Sequence, residues 1–181
     1  MIILNFLKKN LKRQKNSIFE FSIISLVIIE RRNFYYFERE RRNCPNRVEK
    51  ILFHGTSVEP ISSILTDCFQ RARIHIYGEG VYFTDSLDYC WYYGGPDNRQ
   101  NINIIPKIGE IFSLIASFIY YNNEGLKNDN NSYYTPKKNE INMAKADVYT
   151  GNFANNYYNL EKLLLFNEYI INNLDQILSV Q

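Results

Sequence analysis

Three short segments hold the residues whose types could do chemistry. His54-Gly55-Thr56-Ser57 follows one apolar run, Gly78-Glu79-Gly80-Val81-Tyr82-Phe83 leads into another, and Asn167-Glu168-Tyr169 interrupts a third. A carboxylate such as Glu168, in apolar company, can stabilise positive charge as it develops and can take a proton from an incoming acceptor. A glycine directly after His54 lets a ligand approach the backbone, because no Cβ stands in the way. Taken singly, each residue has a plainer reading. Glu168 would be a surface carboxylate on an edge strand, His54 a satisfied core imidazole, and Tyr82 an ordinary aromatic core residue. The two histidines, His54 and His75, are too few for a His-rich metal site, and no CxxC pair suggests zinc. No metal is expected. Cys44, Cys68 and Cys90 are far apart and odd in number, which argues against a disulfide framework. Cys90 has no dedicated base and reads as a buried structural thiol.

The elements that must position these segments follow from the pattern around them. Lys50–His54 predicts a strand that stops at Gly55. Ser57 is a good N-cap, and Ile61, Ile64, Leu65 and Phe69 recur at helical spacing, so a helix of about ten residues follows, with Pro60 tolerated in its first turn. Gly80–Thr84 predicts a short strand, and Asp85 is expected to cap a second helix over roughly 86–93. Residues 94–108 read as a loop. Gly109–Tyr121 is apolar on both faces and predicts a central strand. Eleven of the 39 residues in 122–160 are Asn and large aliphatics are few, so this stretch reads as a long, partly ordered insertion. Residues 163–173 return to strand. The sum is short strands mixed with short helices, an α+β domain.

Length and charge bound the rest. The chain has 181 residues, 45% of them hydrophobic, which excludes global disorder and allows a real core. The net charge of +2 hides an uneven distribution. Residues 1–50 carry 12 Lys/Arg against 5 Asp/Glu, and the other 131 carry 9 against 14. This predicts a basic N-terminal extension over 1–46, then a domain over 47–181. Within the extension, 18–29 is apolar and β-branched and reads as a buried strand or helix. Glu20 interrupts it and no small-residue cleavage site follows, which argues against a secretory signal. Phe34, Phe37 and Arg41 predict a short amphipathic helix ending before Pro45. No apolar run is long enough to span a membrane, and a cytoplasmic or nuclear location is expected.

Together, in order, the three segments resemble the poly(ADP-ribose) polymerase (PARP) type of ADP-ribosyltransferase, whose signature is a His, a Tyr and a Glu. His54, Tyr82 and Glu168 match it, each in a fitting context: HG[ST] after a strand, GxGxYF, and NEYII near the C-terminus. The resemblance covers about 130 residues of the chain. It implies an ADP-ribosyltransferase-like fold of short mixed and antiparallel sheets with flanking helices. It also implies NAD as co-substrate and transfer of ADP-ribose to protein side chains, one unit or many, with release of nicotinamide. Glu168 would stabilise the oxocarbenium-like ribose and activate the acceptor. Gly55 would hold the nicotinamide amide through its backbone, His54 a ribose hydroxyl of the adenosine half, and Tyr82 one face of the nicotinamide ring. Ser57 belongs to the same cofactor-binding motif. An ungapped reading gives Cys90 the place of a hydroxyl that bonds the carboxamide, and Tyr93 the ring's other face. A one-residue shift would promote Tyr92 or Tyr89 instead. A thiol is the weaker partner.

The resemblance also implies more chain after the Glu strand than the 13 residues present here. The sheet is therefore expected to lack a closing strand, or to have residues 18–29 in its place. Two other readings stand beside the enzyme. One is a PARP-like module that binds NAD or ADP-ribose without turnover. The other is an interaction protein whose basic stretches, 8–15 and 31–42, dock on nucleic acid in a salt-dependent way.

Overall fold

The computed structural model describes residues 34–73, 77–87, 89–90, 113–127, 136–150 and 161–180. Helix α1 spans Phe34–Arg42, strand β1 Arg47–Thr56, helix α2 Val58–Asp67 and strand β2 Val81–Thr84. Strands β3 (Ser113–Asn122), β4 (Leu126–Lys127), β5 (Ile141–Thr150), β6 (Glu161–Ile171) and β7 (Ile177–Val180) follow. They form one seven-stranded sheet in the order β4-β5-β6-β2-β1-β3-β7. Every neighbouring pair is antiparallel except β4 with β5. The α+β expectation therefore holds.

Strand alternation divides the core between the two faces of the sheet. One face carries Leu52, Val81, Phe83, Ile115, Ile119, Tyr169 and Ile171, and α2 covers it with Ile64 and, just beyond its end, Phe69. The other carries Phe53 and Ala116, packed under Leu87 and Cys90 of a helical turn that begins at residue 87. A row of paired residues crosses the sheet: Ala144 beside Glu168, Glu168 beside Thr84, Thr84 beside Phe53, and Phe53 beside Ala116. Glu168 thus lies on an interior strand and is buried, which sets aside the reading of a surface carboxylate on an edge.

The ladder between β1 and β3 runs over ten residue pairs, whereas β1 and β2 register only at Phe53 and Thr84. The sheet is thus nearly divided between β1 and β2. Helix α1 packs against the β3–β7 end of the sheet, where Phe37 meets Tyr120 edge to face at 5.3 Å. Its arginines face carboxylates: Arg39 pairs with Glu40, Arg41 with Glu38 and Glu49, and Arg42 with Glu38.

Two expectations need correction and one needs extending. The Asn-rich stretch 122–160, read as a long, partly ordered insertion, contributes a long strand to the sheet: β5 lies within it and pairs with β6 from Asn142↔Ile170 to Thr150↔Glu161. Its alternating Ile141, Met143 and Lys145 give a strand even though Asn142 intervenes, itself fully buried. Asp85, the expected cap of the following helix, is also tied to the sheet. Its carboxylate serves β6, and the Ser86 Oγ accepts the Tyr89 N–H at 3.4 Å. The chain after Glu168 does add a strand. A 3-10 turn, Leu174–Gln176, leads into β7, which pairs with β3 on the far side of the sheet. Residues 18–29, the other candidate for that place, lie outside the described residues, as do the expected loop 94–108 and the start of the strand expected from Gly109.

Candidate active site

Where β1 and β2 part, a cleft opens with a free volume of about 210 Å³. His54 and Gly55 line it from β1, Tyr82 and Thr84 from β2, Tyr89 and Cys90 from the helical turn, and Glu168 from β6. The volume lies below the roughly 300–1,000 Å³ of sites that enclose a drug-sized ligand. The described walls therefore fit part of a dinucleotide rather than all of it.

His54 bridges the parting strands. Its Nδ1 lies 2.8 Å from the Tyr82 carbonyl oxygen. A carbonyl only accepts, so Nδ1 carries the proton and Nε2 is left as an acceptor in the neutral ring. Burial pushes the His54 pKa below its ordinary value, against the opposing effect of the Tyr82 carbonyl. Phe69 and Phe83 hold the imidazole edge to face, at 5.2 and 5.8 Å between centroids. The ring is thus both packed in the core, as the plainer reading had it, and presented to the cleft.

Gly55 is packed so tightly that a Cβ there would lie 2.2 Å from the Cys90 carbonyl oxygen and 2.8 Å from its Cα. Burial drives the Cys90 thiol pKa strongly upward, opposed by the nearby Gly55 backbone. Cys90 is therefore a buried, protonated core thiol, and its backbone fills the space beside Gly55. Tyr82 directs its hydroxyl to the Gly78 carbonyl at 2.5 Å, and Gly78 has a φ of 99°, a conformation that glycine adopts without strain.

Glu168 is 4% exposed. Burial raises its pKa to about 7, opposed by a hydrogen bond from Tyr89, whose hydroxyl lies 3.0 Å from Oε1. The residues on either side of it point to the opposite face and are tied there. Asn167 Nδ2 and the Tyr169 hydroxyl both donate to Asp85 Oδ2, each at 3.0 Å. Lys50 Nζ donates to the Tyr169 hydroxyl at 3.0 Å, and Lys145 bonds Asn167. The Asn-Glu-Tyr segment is thus a carboxylate flanked by two anchors, and both anchors reach the residue that opens the helical turn of Tyr89.

The structure brings His54, Gly55, Tyr82, Cys90 and Glu168 together at one cleft. Ser57 stands apart at the N-cap of α2, where its side chain makes no cap hydrogen bond, and it is not among the described residues that line the cleft. Tyr93 and Tyr92 lie outside the described residues. Sequence reasoning missed the contact of Tyr89 with Glu168, although it named Tyr89 as an alternative in a shifted alignment. Nothing local signals a contact between residues 79 positions apart. Among the described residues, no group of three or more His, Cys, Asp or Glu could hold a metal ion. No helix among them is long and apolar enough to cross a membrane.

No curated protein matches the chain. The family model of the poly(ADP-ribose) polymerase catalytic domain matches residues 1–179. With a match of that extent, and with the cleft arranged as described, the chain belongs to the poly(ADP-ribose) polymerase catalytic domain family.

Proposed function

We propose that this protein transfers ADP-ribose from NAD to a protein side chain and releases nicotinamide. The observation that carries the reading is the convergence of His54, Gly55, Tyr82 and Glu168 on one cleft at the parting of β1 and β2. Nε2 of His54 is an acceptor suited to a ribose hydroxyl. The Tyr82 ring, steadied through its hydroxyl, offers a face to the nicotinamide. Gly55, on the cleft wall, would offer backbone N–H and C=O to the amide. Nicotinamide departure leaves positive charge on the ribose, which a carboxylate close by stabilises. A carboxyl whose pKa is raised to about 7 is also matched to proton transfer near neutral pH. Glu168 then orients the acceptor nucleophile and takes its proton as the new bond forms at the anomeric carbon. Transfer of a single unit and chain growth both suit this geometry.

A second reading is favoured by one observation. Because the Cys90 backbone already fills the space beside Gly55, the nicotinamide end would be poorly held, and the protein would bind NAD or ADP-ribose without turning it over. One assay separates the two: labelled NAD with the wild type and with Glu168→Gln, following protein label, free nicotinamide and NAD binding. The transferase reading expects the variant to lose at least about 100-fold in transfer, with NAD affinity kept within about threefold. A folded wild type that binds NAD and releases no nicotinamide would establish the binding reading. Transfer and binding lost in equal measure would contradict a transition-state role for Glu168.

A further inference from the structure

We propose that Tyr89 is the positioning residue of this site: it holds one oxygen of the Glu168 carboxyl and so turns the other toward the cleft. The inference rests on the transferase reading for its consequence, but not for its test. The Tyr89 hydroxyl lies 3.0 Å from Glu168 Oε1 and is the one hydrogen-bond partner of that carboxyl among the described residues. The tyrosine cannot swing away easily. It is 5% exposed, its ring stacks on Phe166 at 5.1 Å and 22°, and its N–H is held by Ser86 Oγ at 3.4 Å. Phe166 and Glu168 are two apart on β6 and share a face. One tyrosine is therefore clamped by the first and bonded to the second.

None of the other described groups around the carboxyl can substitute for it. Thr84 on β2 and Ala144 on β5 are its cross-strand neighbours and carry no charge. His54 shares the cleft as a neutral ring with its proton committed to Tyr82, and Cys90 is a buried, protonated thiol. The charged Lys145, Asp85 and Lys50 are engaged with Asn167 and Tyr169 on the opposite face. A tyrosine hydroxyl that donates to the carboxyl favours its ionised form, against the burial that disfavours it.

Tyr89→Phe removes the hydroxyl and keeps the stacked ring. The first readout is the 13C titration of the Glu168 carboxyl in the whole chain, assigned with Glu168→Gln. Loss of one hydrogen bond to a carboxylate raises the midpoint by about 0.7 pH unit, which lowers the ionised fraction at neutral pH about threefold. The second is nicotinamide release from NAD against pH. At neutral pH kcat falls at least about threefold, KM for NAD holds, and the acid limb of the profile moves up with the midpoint. If Tyr89→Phe does not fold, Phe166→Leu loosens the clamp and is expected to move the midpoint the same way by less. An unchanged midpoint in a folded variant overturns the proposal, and so does a moved midpoint with an unchanged rate. A moved midpoint in a chain whose wild type releases no nicotinamide supports the tie and refutes the transferase reading.

Discussion

Replacing Glu168 by Gln should stabilise the folded protein, and by an amount that grows with pH. The carboxyl has a folded pKa of about 7 against an ordinary value of 4.5, because burial penalises its charged form. Since the folded value is the higher one, the penalty is absent below about pH 4, builds through the interval, and is complete above about pH 8. A gap of about 2.5 units at 1.36 kcal/mol per unit gives about 3.4 kcal/mol at the alkaline end. Gln has nearly the same shape, carries no charge, and keeps an oxygen to accept from the Tyr89 hydroxyl. The variant should therefore match the wild type at about pH 4 and exceed it by about 3 kcal/mol at about pH 8.5. For a domain of this size that is roughly 6–12 °C in Tm at the higher pH. The assay is urea unfolding of both proteins at several pH values, with thermal melts as a check. A stability difference that stays flat, within about 1 kcal/mol, across that range would refute the argument that burial and not a partner governs this carboxyl. The measurement needs no NAD and no activity, so it examines the site apart from its function.

Gly55→Ala is expected to cost about 3 kcal/mol or more, because its Cβ would press on Cys90 backbone atoms rather than on a movable side chain. Urea unfolding checks this, and wild-type stability would refute the packing; a valine there would damage the fold before it excluded any ring. Tyr120→Phe should be neutral or stabilising by about 1 kcal/mol, since the fully buried hydroxyl has no hydrogen-bond partner among the described residues. A loss above about 1 kcal/mol in the same assay would mean that the hydroxyl is satisfied after all.

The parts of the site legible in the sequence are those in which chemistry and backbone coincide within a few residues. His54 and Gly55 end a strand, Gly80 begins one, and Glu168 stands out in an apolar run; each carries its context beside it. The unread parts depend on strands far apart in the chain. Asp85 has the type and place of a helix cap, and its second engagement, with Asn167 and Tyr169 on β6, depends on a strand far along the chain. Strand β5 escaped notice because it pairs with β6 on an interior line of the sheet, where buried Asn142 broke the expected apolar signal. Strand β7 is four residues long, and its place beside β3 is decided by that partner and not by its own pattern. Tyr89 looked like one more ring in an aromatic helix, and what distinguishes it is a partner on another element.

The near division of the sheet between β1 and β2 also dictates when the cleft can exist during synthesis. Strand β2 has four residues and one register pair with β1, so its lasting partner is β6. Until residues 161–171 leave the ribosome, Tyr82 and its neighbours have almost no sheet to join, whereas β1 and β3 can already close their long ladder. A nascent chain that has made His54, Gly55 and Tyr82 therefore still lacks one wall of the cleft. Glu168 and the strand that seats β2 arrive together, so the buried carboxyl appears only as the cavity around it is completed. Such distant pairing is slow, and the interval leaves the β2 edge exposed to whatever else is in the cell.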